Sequence, residues 1–387
     1  MIRETIEAGA KRIMIQTVYF ATNRQPLLDP SDPQQKRIIG FGSELGPTSG
    51  IDVRYGSAKI EVNLSKKTNV LVTGSLVVAN QHLLFTEGQS PILGSDTIFD
   101  AIRASMKADN KPTIAFIHGF SNSFVDSIER GGWLSAFCGI DVNMFVFSWP
   151  SIISLLPTPT PFGDYTHDRK TAAASGLAVA RTLRRLSDFV DKLDQEDRCD
   201  QSIHLICHSM GNYVFRNGLQ ALMTLPEPAS SALSAVNAMT SLDGPSPSLR
   251  RYFDKVILAA ADEDADAFDD PTKLKFLPRI CRSVTVYYSE KDWILGTLSR
   301  GTKFNGPRLG SDGPDNMSTI SDKVSAVDVS DVLEASEPEN HQYYRVFPQV
   351  RDDIKAVLKG TPPDKIANRQ AISQARWKIV KKAGKIA

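Results

Sequence analysis

The chain has 387 residues, and its 45 Lys plus Arg against 44 Asp plus Glu give a formal net charge of +1. A hydrophobic share of 41% with 23% charged residues is that of a globular protein and excludes a disordered, collagen-like or coiled-coil chain. The even balance excludes a globally basic nucleic-acid binder, but it is the sum of two unlike parts: from Pro362 to Ala387 seven basic residues meet one acid, a net +6, which leaves the body at −5.

At roughly 150 residues per domain, this length suits two or three domains or one large α/β domain. The cysteines, Cys138, Cys199, Cys207 and Cys281, form no CxxC pair, which argues against a zinc knuckle or redox dithiol and suits a reducing compartment. The first residues, MIRETIEAGAKRIM, carry charges where a signal peptide needs an apolar core, and Glu4 and Glu7 disfavour a transit peptide. No apolar run approaches the ~20 residues that cross a bilayer. The expectation is a soluble, cytoplasmic protein.

Residues 1–110 read as a β-rich N-terminal part. Strand-like runs lie at Ile13–Phe20 and Asp52–Val62, separated by Gly/Ser/Pro punctuation such as Gly46-Pro47-Thr48-Ser49-Gly50. Residues 111–361 alternate short apolar runs with amphipathic stretches. Thr113–Ile117, Val142–Phe147, Ile203–Cys207, Lys255–Ala260, Val284–Tyr288 and Val324–Val329 suit strands buried on both faces of a parallel sheet. Val179, Leu183, Leu186, Val190 and Leu193 fall on one helix face, with Asp168 placed to cap its start, and Val350, Ile354, Val357 and Leu358 form a second stripe. Strands alternating with helices predict right-handed crossovers and an open, mostly parallel sheet with helices on both faces. In the tail, 362–387, apolar residues interleave with lysines as in an amphipathic helix. It is expected to dock on the acidic body or to be disordered; weak contact with a membrane or another anionic surface is the alternative.

The strongest chemical signal is Ile203-His204-Leu205-Ile206-Cys207-His208-Ser209-Met210-Gly211-Asn212, an apolar strand running into Ser-x-Gly and then into a helical pattern. This is a nucleophile elbow, in which a strained turn lifts a serine hydroxyl above the sheet edge. Residues two before and two after the serine must be small; Gly211 is, while Cys207 stands where glycine is usual. Ile114-Ala115-Phe116-Ile117-His118-Gly119-Phe120 is a strand followed by His-Gly, the place from which a loop supplies one oxyanion-hole amide, the residue after the serine supplying the other. That nominates the backbone amides of Phe120 and Met210, with His118, Gly119 and Gly211 in support.

Chain order then asks for an acid and a histidine after Ser209. His341 is the one histidine beyond it. The acid is open at this point. Asp292, after the strand ending at Tyr288, is favoured over Asp262, Asp264 and Asp266 and over Glu290. The acid-rich run 262–270 reads as a loop opening a helix, where the dipole favours anions, in preference to a hard-cation site.

Together these segments resemble a family of α/β-hydrolase-fold proteins of unknown function, mostly bacterial. The resemblance rests on Val18-Tyr19-Phe20-Ala21-Thr22-Asn23-Arg24, Tyr55-Gly56, His118-Gly119-Phe120-Ser121-Asn122-Ser123-Phe124, Phe147-Ser148-Trp149-Pro150-Ser151, Asp168-Arg169 and Cys207-His208-Ser209-Met210-Gly211-Asn212. It continues in Leu258-Ala259-Ala260-Ala261-Asp262-Glu263-Asp264, Tyr288-Ser289-Glu290-Lys291-Asp292, Gly306-Pro307-Arg308-Leu309-Gly310 and His341-Gln342-Tyr343-Tyr344. It implies an α/β-hydrolase fold over about 18–360 and a Ser209, Asp292, His341 triad, and names no substrate. Phe120 departs from it, since relatives look like tyrosine there, and the tail lies outside it. The expected function is a serine hydrolase acting on a carboxylic ester, thioester or amide of a small-molecule substrate, with no cofactor or metal. The competing readings are a binding or scaffold protein with a silent triad and a metal-dependent phosphoesterase built on the acidic run. Two Pro-rich segments, Pro150–Thr166 and Pro226–Arg250, are candidate lids or plain surface loops.

Overall fold

Val18, Phe20, Ile114, Phe116, Ile206, Ile257 and Val286 are buried on strands whose neighbours are equally apolar, because both faces of the sheet they form are covered. A computed structural model describes residues 13–34, 36–79, 93–153, 162–195, 199–225, 249–299, 306–334 and 340–381. The strands are β1 (Ile13–Thr22), β2 (Arg24–Leu28), β3 (Ile38–Leu45), β4 (Arg54–Asn63), β5 (Thr68–Leu71), β6 (Val77–Val78), β7 (Thr113–Ile117), β8 (Asn143–Ser148), β9 (Ile203–His208), β10 (Phe253–Ala259), β11 (Cys281–Tyr288), β12 (Val324–Asp328), β13 (Arg369–Ser373) and β14 (Arg376–Ile379). The helices used below are α1 (Gly94–Asp109), α2 (Phe124–Cys138), α3 (Phe162–Lys192), α4 (Met210–Thr224) and α5 (Pro348–Leu358).

One sheet runs in the order β13-β14-β12-β11-β10-β9-β7-β8-β1-β4-β5, with β6 also on β4, while β2 and β3 pair separately. From β14 to β1, with β13 left aside, neighbouring strands are parallel; β4 returns antiparallel on β1. The strand candidates of the middle region are all strands of this sheet, and β1 and β4, from the first 110 residues, continue it. Alternate residues serve opposite cores. Leu205 and Cys207 pack with Ile98, Phe99, Val179, Leu183 and Val214 of α1, α3 and α4. Ile206 packs with Ile128, Leu134, Val350 and Ile354 of α2 and α5.

The chain passes from β7 to β8 on one side and then to β9 on the other. The resulting crevice at the carboxyl edge is where open α/β sheets bind ligands. Residues just after β1, β7, β8, β9, β10, β11 and β12 therefore converge there.

Asp168 and the tail depart from expectation. Asp168 does not cap α3, which begins at Phe162; its carboxylate is turned to the loop after β8 instead. The tail is not a helix over its described residues. β13 and β14 form a hairpin, and β14 adds to the free edge of β12, pairing Ala326 with Arg376 and Val327 with Trp377. Trp377 and Ile379, two apart, both pack against the α2/α5 core, which is strand period, and Ala375 turns the hairpin at φ +54°. An open sheet edge with unpaired amides and carbonyls outweighs the weak helical pattern.

Candidate active site

The elbow begins with backbone strain. Ser209 sits at φ +52°, ψ −125° between β9 and α4, a conformation that costs on the order of 1–3 kcal/mol and persists only where neighbours fix it. Here the Ser209 amide donates to Ala259 O at 3.0 Å, and its carbonyl accepts from the Asp262 amide at 3.2 Å and from Asn212 Nδ2 at 2.9 Å. Gly211 allows the loop after β7 to lie on the elbow: a Cβ there would stand 2.4 Å from Ile117 O and 2.5 Å from His118 O. Gly119 is its counterpart, with a Cβ position 2.9 Å from Ser209 Cβ. Cys207 needs no glycine-like space, because its side chain is buried in the core beneath α3 and α4.

His341 lies in a 3-10 turn, Asn340–Gln342, after β12. Its Nδ1 is 2.7 Å from Asp292 Oδ2. The second oxygen, Asp292 Oδ1, accepts from the Leu295 amide at 3.1 Å, so the buried carboxylate is held at both ends. An Nδ1–H donated to a carboxylate leaves Nε2 as the basic nitrogen of the ring. The residue beside the serine anchors the same turn: His208 Nε2 donates to His341 O at 3.0 Å, with the two rings 4.8 Å apart. Burial and the neighbouring His341 push His208 well below the usual imidazole range, so it stays neutral and acts as a strut.

The rival aspartates are engaged elsewhere. Asp262 accepts from Tyr165 OH at 2.6 Å and Arg308 Nη2 at 2.7 Å. Glu263 pairs with Arg216 at 3.1 Å, Asp264 with Arg308, and Asp266 with Lys273 at 2.6 Å. The run opens no helix: residues 265–276 are a series of turns. Asp262, Glu263, Asp264, Asp266 and Asp270 each pair with an arginine or lysine, and Asp269 accepts from Thr319 Oγ1 at 2.6 Å. Glu290 precedes Asp292 by two residues, and its amide donates to Ser330 Oγ at 3.2 Å. Arg308 stands in a family-like segment, but its pairing is one that sequence reasoning misses, since its acids lie some forty positions away.

The oxyanion-loop candidates form a tightly bonded turn. Gly119 O accepts from Asn122 Nδ2 at 3.0 Å and lies 2.8 Å from His118 Nδ1; Phe120 O accepts from Asn122 Nδ2 at 2.7 Å. His118 O accepts from Trp149 Nε1 at 2.8 Å, and the His118 and Trp149 rings stack at 5.2 Å. A trans peptide points its N–H opposite its C=O, so fixing Gly119 O on the Asn122 side turns the Phe120 amide the other way. Met210 is the first residue of α4, whose opening amides have no acceptor within the helix.

Of the candidate lids, 154–161 and 226–248 lie outside the described residues. The described ends of the second segment are Leu225, after α4, and Leu249, before β10. Fifteen residues of α4 put Leu225 about 22 Å from the elbow at 1.5 Å per residue, toward the opposite sheet edge. A cavity of about 220 Å³, lined by Phe99, Met106, Phe145, Leu183 and Leu205 among others, lies between α1, α3 and the sheet face. No helix among the described residues is long and apolar enough to cross a membrane.

No curated protein matches the chain. Residues 97–359, more than half of the chain, match the alpha/beta hydrolases of unknown function known as DUF900, and the chain belongs to that family.

Proposed function

We propose that this α/β hydrolase is a serine hydrolase in which Ser209 is the nucleophile, His341 the general base and Asp292 the acid that orients it, with the Phe120 and Met210 amides as the oxyanion hole. The observation that carries the reading is the 2.7 Å Asp292–His341 contact at the sheet edge where a strained Ser209 follows β9. His341 Nε2 takes the Ser209 hydroxyl proton as Oγ attacks the substrate carbonyl. The leaving group departs with that proton from the imidazolium, and an acyl-enzyme remains. Water, deprotonated by His341, then attacks the acyl carbon, and Ser209 recovers its proton. Negative charge forms on the carbonyl oxygen in both steps, which is where preorganised amides act.

The substrate class is a carboxylic ester, with thioester or amide as the chemical neighbours, because esters are the commonest substrates on this fold. We infer a cytoplasmic location, a reading supported by sparse cysteines that form no CxxC pair in the sequence. A fluorophosphonate probe tests the core claim. A mass adduct on Ser209 in folded protein, together with ester turnover that disappears in Ser209→Ala, is expected; no adduct on folded protein overturns it.

A further inference from the structure

Arg24, at the junction of β1 and β2, is 1% exposed, and the groups around its guanidinium are neutral. Nε donates to Ser148 Oγ at 2.9 Å, Nη1 to Gly42 O at 3.0 Å and Nη2 to Asn122 O at 2.8 Å, with His118 Nε2 at 3.5 Å. The nearby carboxylates act on it from a distance and are spent on other tasks. Asp126 caps α2 through Ser123. Asp168 receives Ser151 Oγ and, at 3.0 Å, the Ile152 amide. A buried cation without a contacting anion is costly. Burial brings its pKa down to about 9, so at neutral pH it still carries its charge.

What this cation touches gives it a task. Asn122 is the residue whose side chain holds Gly119 O and Phe120 O, and whose amide reaches Ser151 Oγ at 3.3 Å. Ser148, the second contact, is held by Thr22 Oγ1 on its carbonyl at 2.6 Å and by Ser127 Oγ at 2.7 Å. Arg24, just after β1, thus joins the loop after β7 to the carboxyl end of β8. The third contact fixes a tautomer. With Nδ1–H of His118 donated to Gly119 O, Nε2 is the lone pair that faces Arg24, and burial together with the cation drives His118 well below its usual range. A neutral His118 can hold the Gly119 carbonyl with a single fixed hydrogen bond.

We propose that Arg24 is the positioning residue of the oxyanion loop: its buried guanidinium fixes Asn122 and the tautomer of His118, and through them the peptide plane that aims the Phe120 amide. This rests on the serine-hydrolase reading for its catalytic consequence and on geometry alone for its structural one. A misplacement of the order of 1 Å in a catalytic donor costs about 10²-fold, so Arg24→Gln is expected to lower kcat for an ester and the fluorophosphonate labelling rate by roughly that factor, with KM within about twofold. Arg24→Lys, which keeps the charge and loses the fork, is expected to fall between the two; it also serves if the glutamine variant fails to fold.

Two readouts separate the claims. Labelling of the wild-type chain decides the hydrolase reading. Amide hydrogen exchange over 118–123, compared between wild type and variants, decides the positioning claim whether or not any ester turns over. Loss of protection by about tenfold or more in the variants, with the melting behaviour of the rest of the chain kept, supports it. Unchanged exchange in this loop, or unchanged kcat in a labelled and folded Arg24→Gln protein, overturns it.

Discussion

Gly119 and Ser209 are interlocked: a methyl group added to Gly119 would come within 2.9 Å of Ser209 Cβ and 3.0 Å of His208 Nδ1. Neither obstacle is the end of a flexible side chain, so one of the two loops must yield. Gly119→Ala is therefore expected to move the loop after β7 off the elbow. Ester turnover should fall by about 10²-fold, the size of losing one oxyanion donor. The melting temperature should drop by a few degrees, since a misplaced methyl costs about 1–3 kcal/mol. Kinetics and thermal denaturation check both arms. Full activity with unaltered stability would mean that the close approach does not constrain the site.

Asp292 is separable from its rivals by substitution. Asp292→Asn removes the acceptor that fixes the Nδ1–H tautomer of His341, and the reaction is expected to lose about 10³–10⁴-fold in kcat. Glu290→Gln should leave kcat within about twofold, the span of an ordinary surface change. Asp262→Asn breaks the pair with Arg308 and should appear first as lost stability. Equal losses of kcat in Asp292→Asn and Glu290→Gln would remove Asp292 from its role.

How far the sequence reveals this site depends on how local each signal is. β9 into Ser209 and β7 into His118 are legible because a strand buried on both faces must be apolar throughout, and the turn after it must be small. Chain order singles out His341, which lies 2.7 Å from Asp292. The acid stays open among four aspartates and a glutamate, because what distinguishes them is distant: Arg308 and Lys273 occupy Asp262, Asp264 and Asp266, which leaves Asp292 with the histidine. The tail misleads for the same reason. Its apolar residues fit either period, and the free edge of β12 that selects the strand is invisible in the tail itself. Arg24 ends one of the family-like segments, but its contacts lie at positions 42, 118, 122 and 148, so its place in the chain announces no task.

Three buried histidines link stability to acidity. His118, His204 and His208 are all held below the usual imidazole range, chiefly by burial, His204 at about 4. Each unfolded imidazole takes up a proton near pH 6.5, while the folded one does not until lower pH. The unfolded state thus binds more protons below 6.5, and stability falls as pH drops through that value, by up to about 1.4 kcal/mol per pH unit for each residue. Asp168, raised by burial, works weakly the other way. Urea denaturation between pH 7.5 and 4.5 measures the slope. His204→Leu should flatten it by one proton's share, and an identical slope in that variant would exclude His204 as a contributor.

The hairpin that ends the described chain is expected to be structural. The side chains of Arg369 and Asp353 are each 1% exposed and meet through two hydrogen bonds, Nε to Oδ2 at 2.7 Å and Nη2 to Oδ1 at 2.6 Å, while Tyr287 OH donates to the same carboxylate at 2.6 Å. Removing one member leaves the other charged and buried, which costs about 3–5 kcal/mol. Arg369→Met should therefore lower the urea midpoint strongly, and Arg369→Met with Asp353→Leu should recover part of the loss, because an apolar pair of similar volume can replace a buried ion pair at little cost. The exposed pair Lys381–Glu334 supplies the contrast, since Lys381→Ala should change stability by less than about 1 kcal/mol. If Arg369→Met shifts the midpoint no more than Lys381→Ala does, the hairpin is an appendage on the edge of β12 and not a part of the sheet's stability.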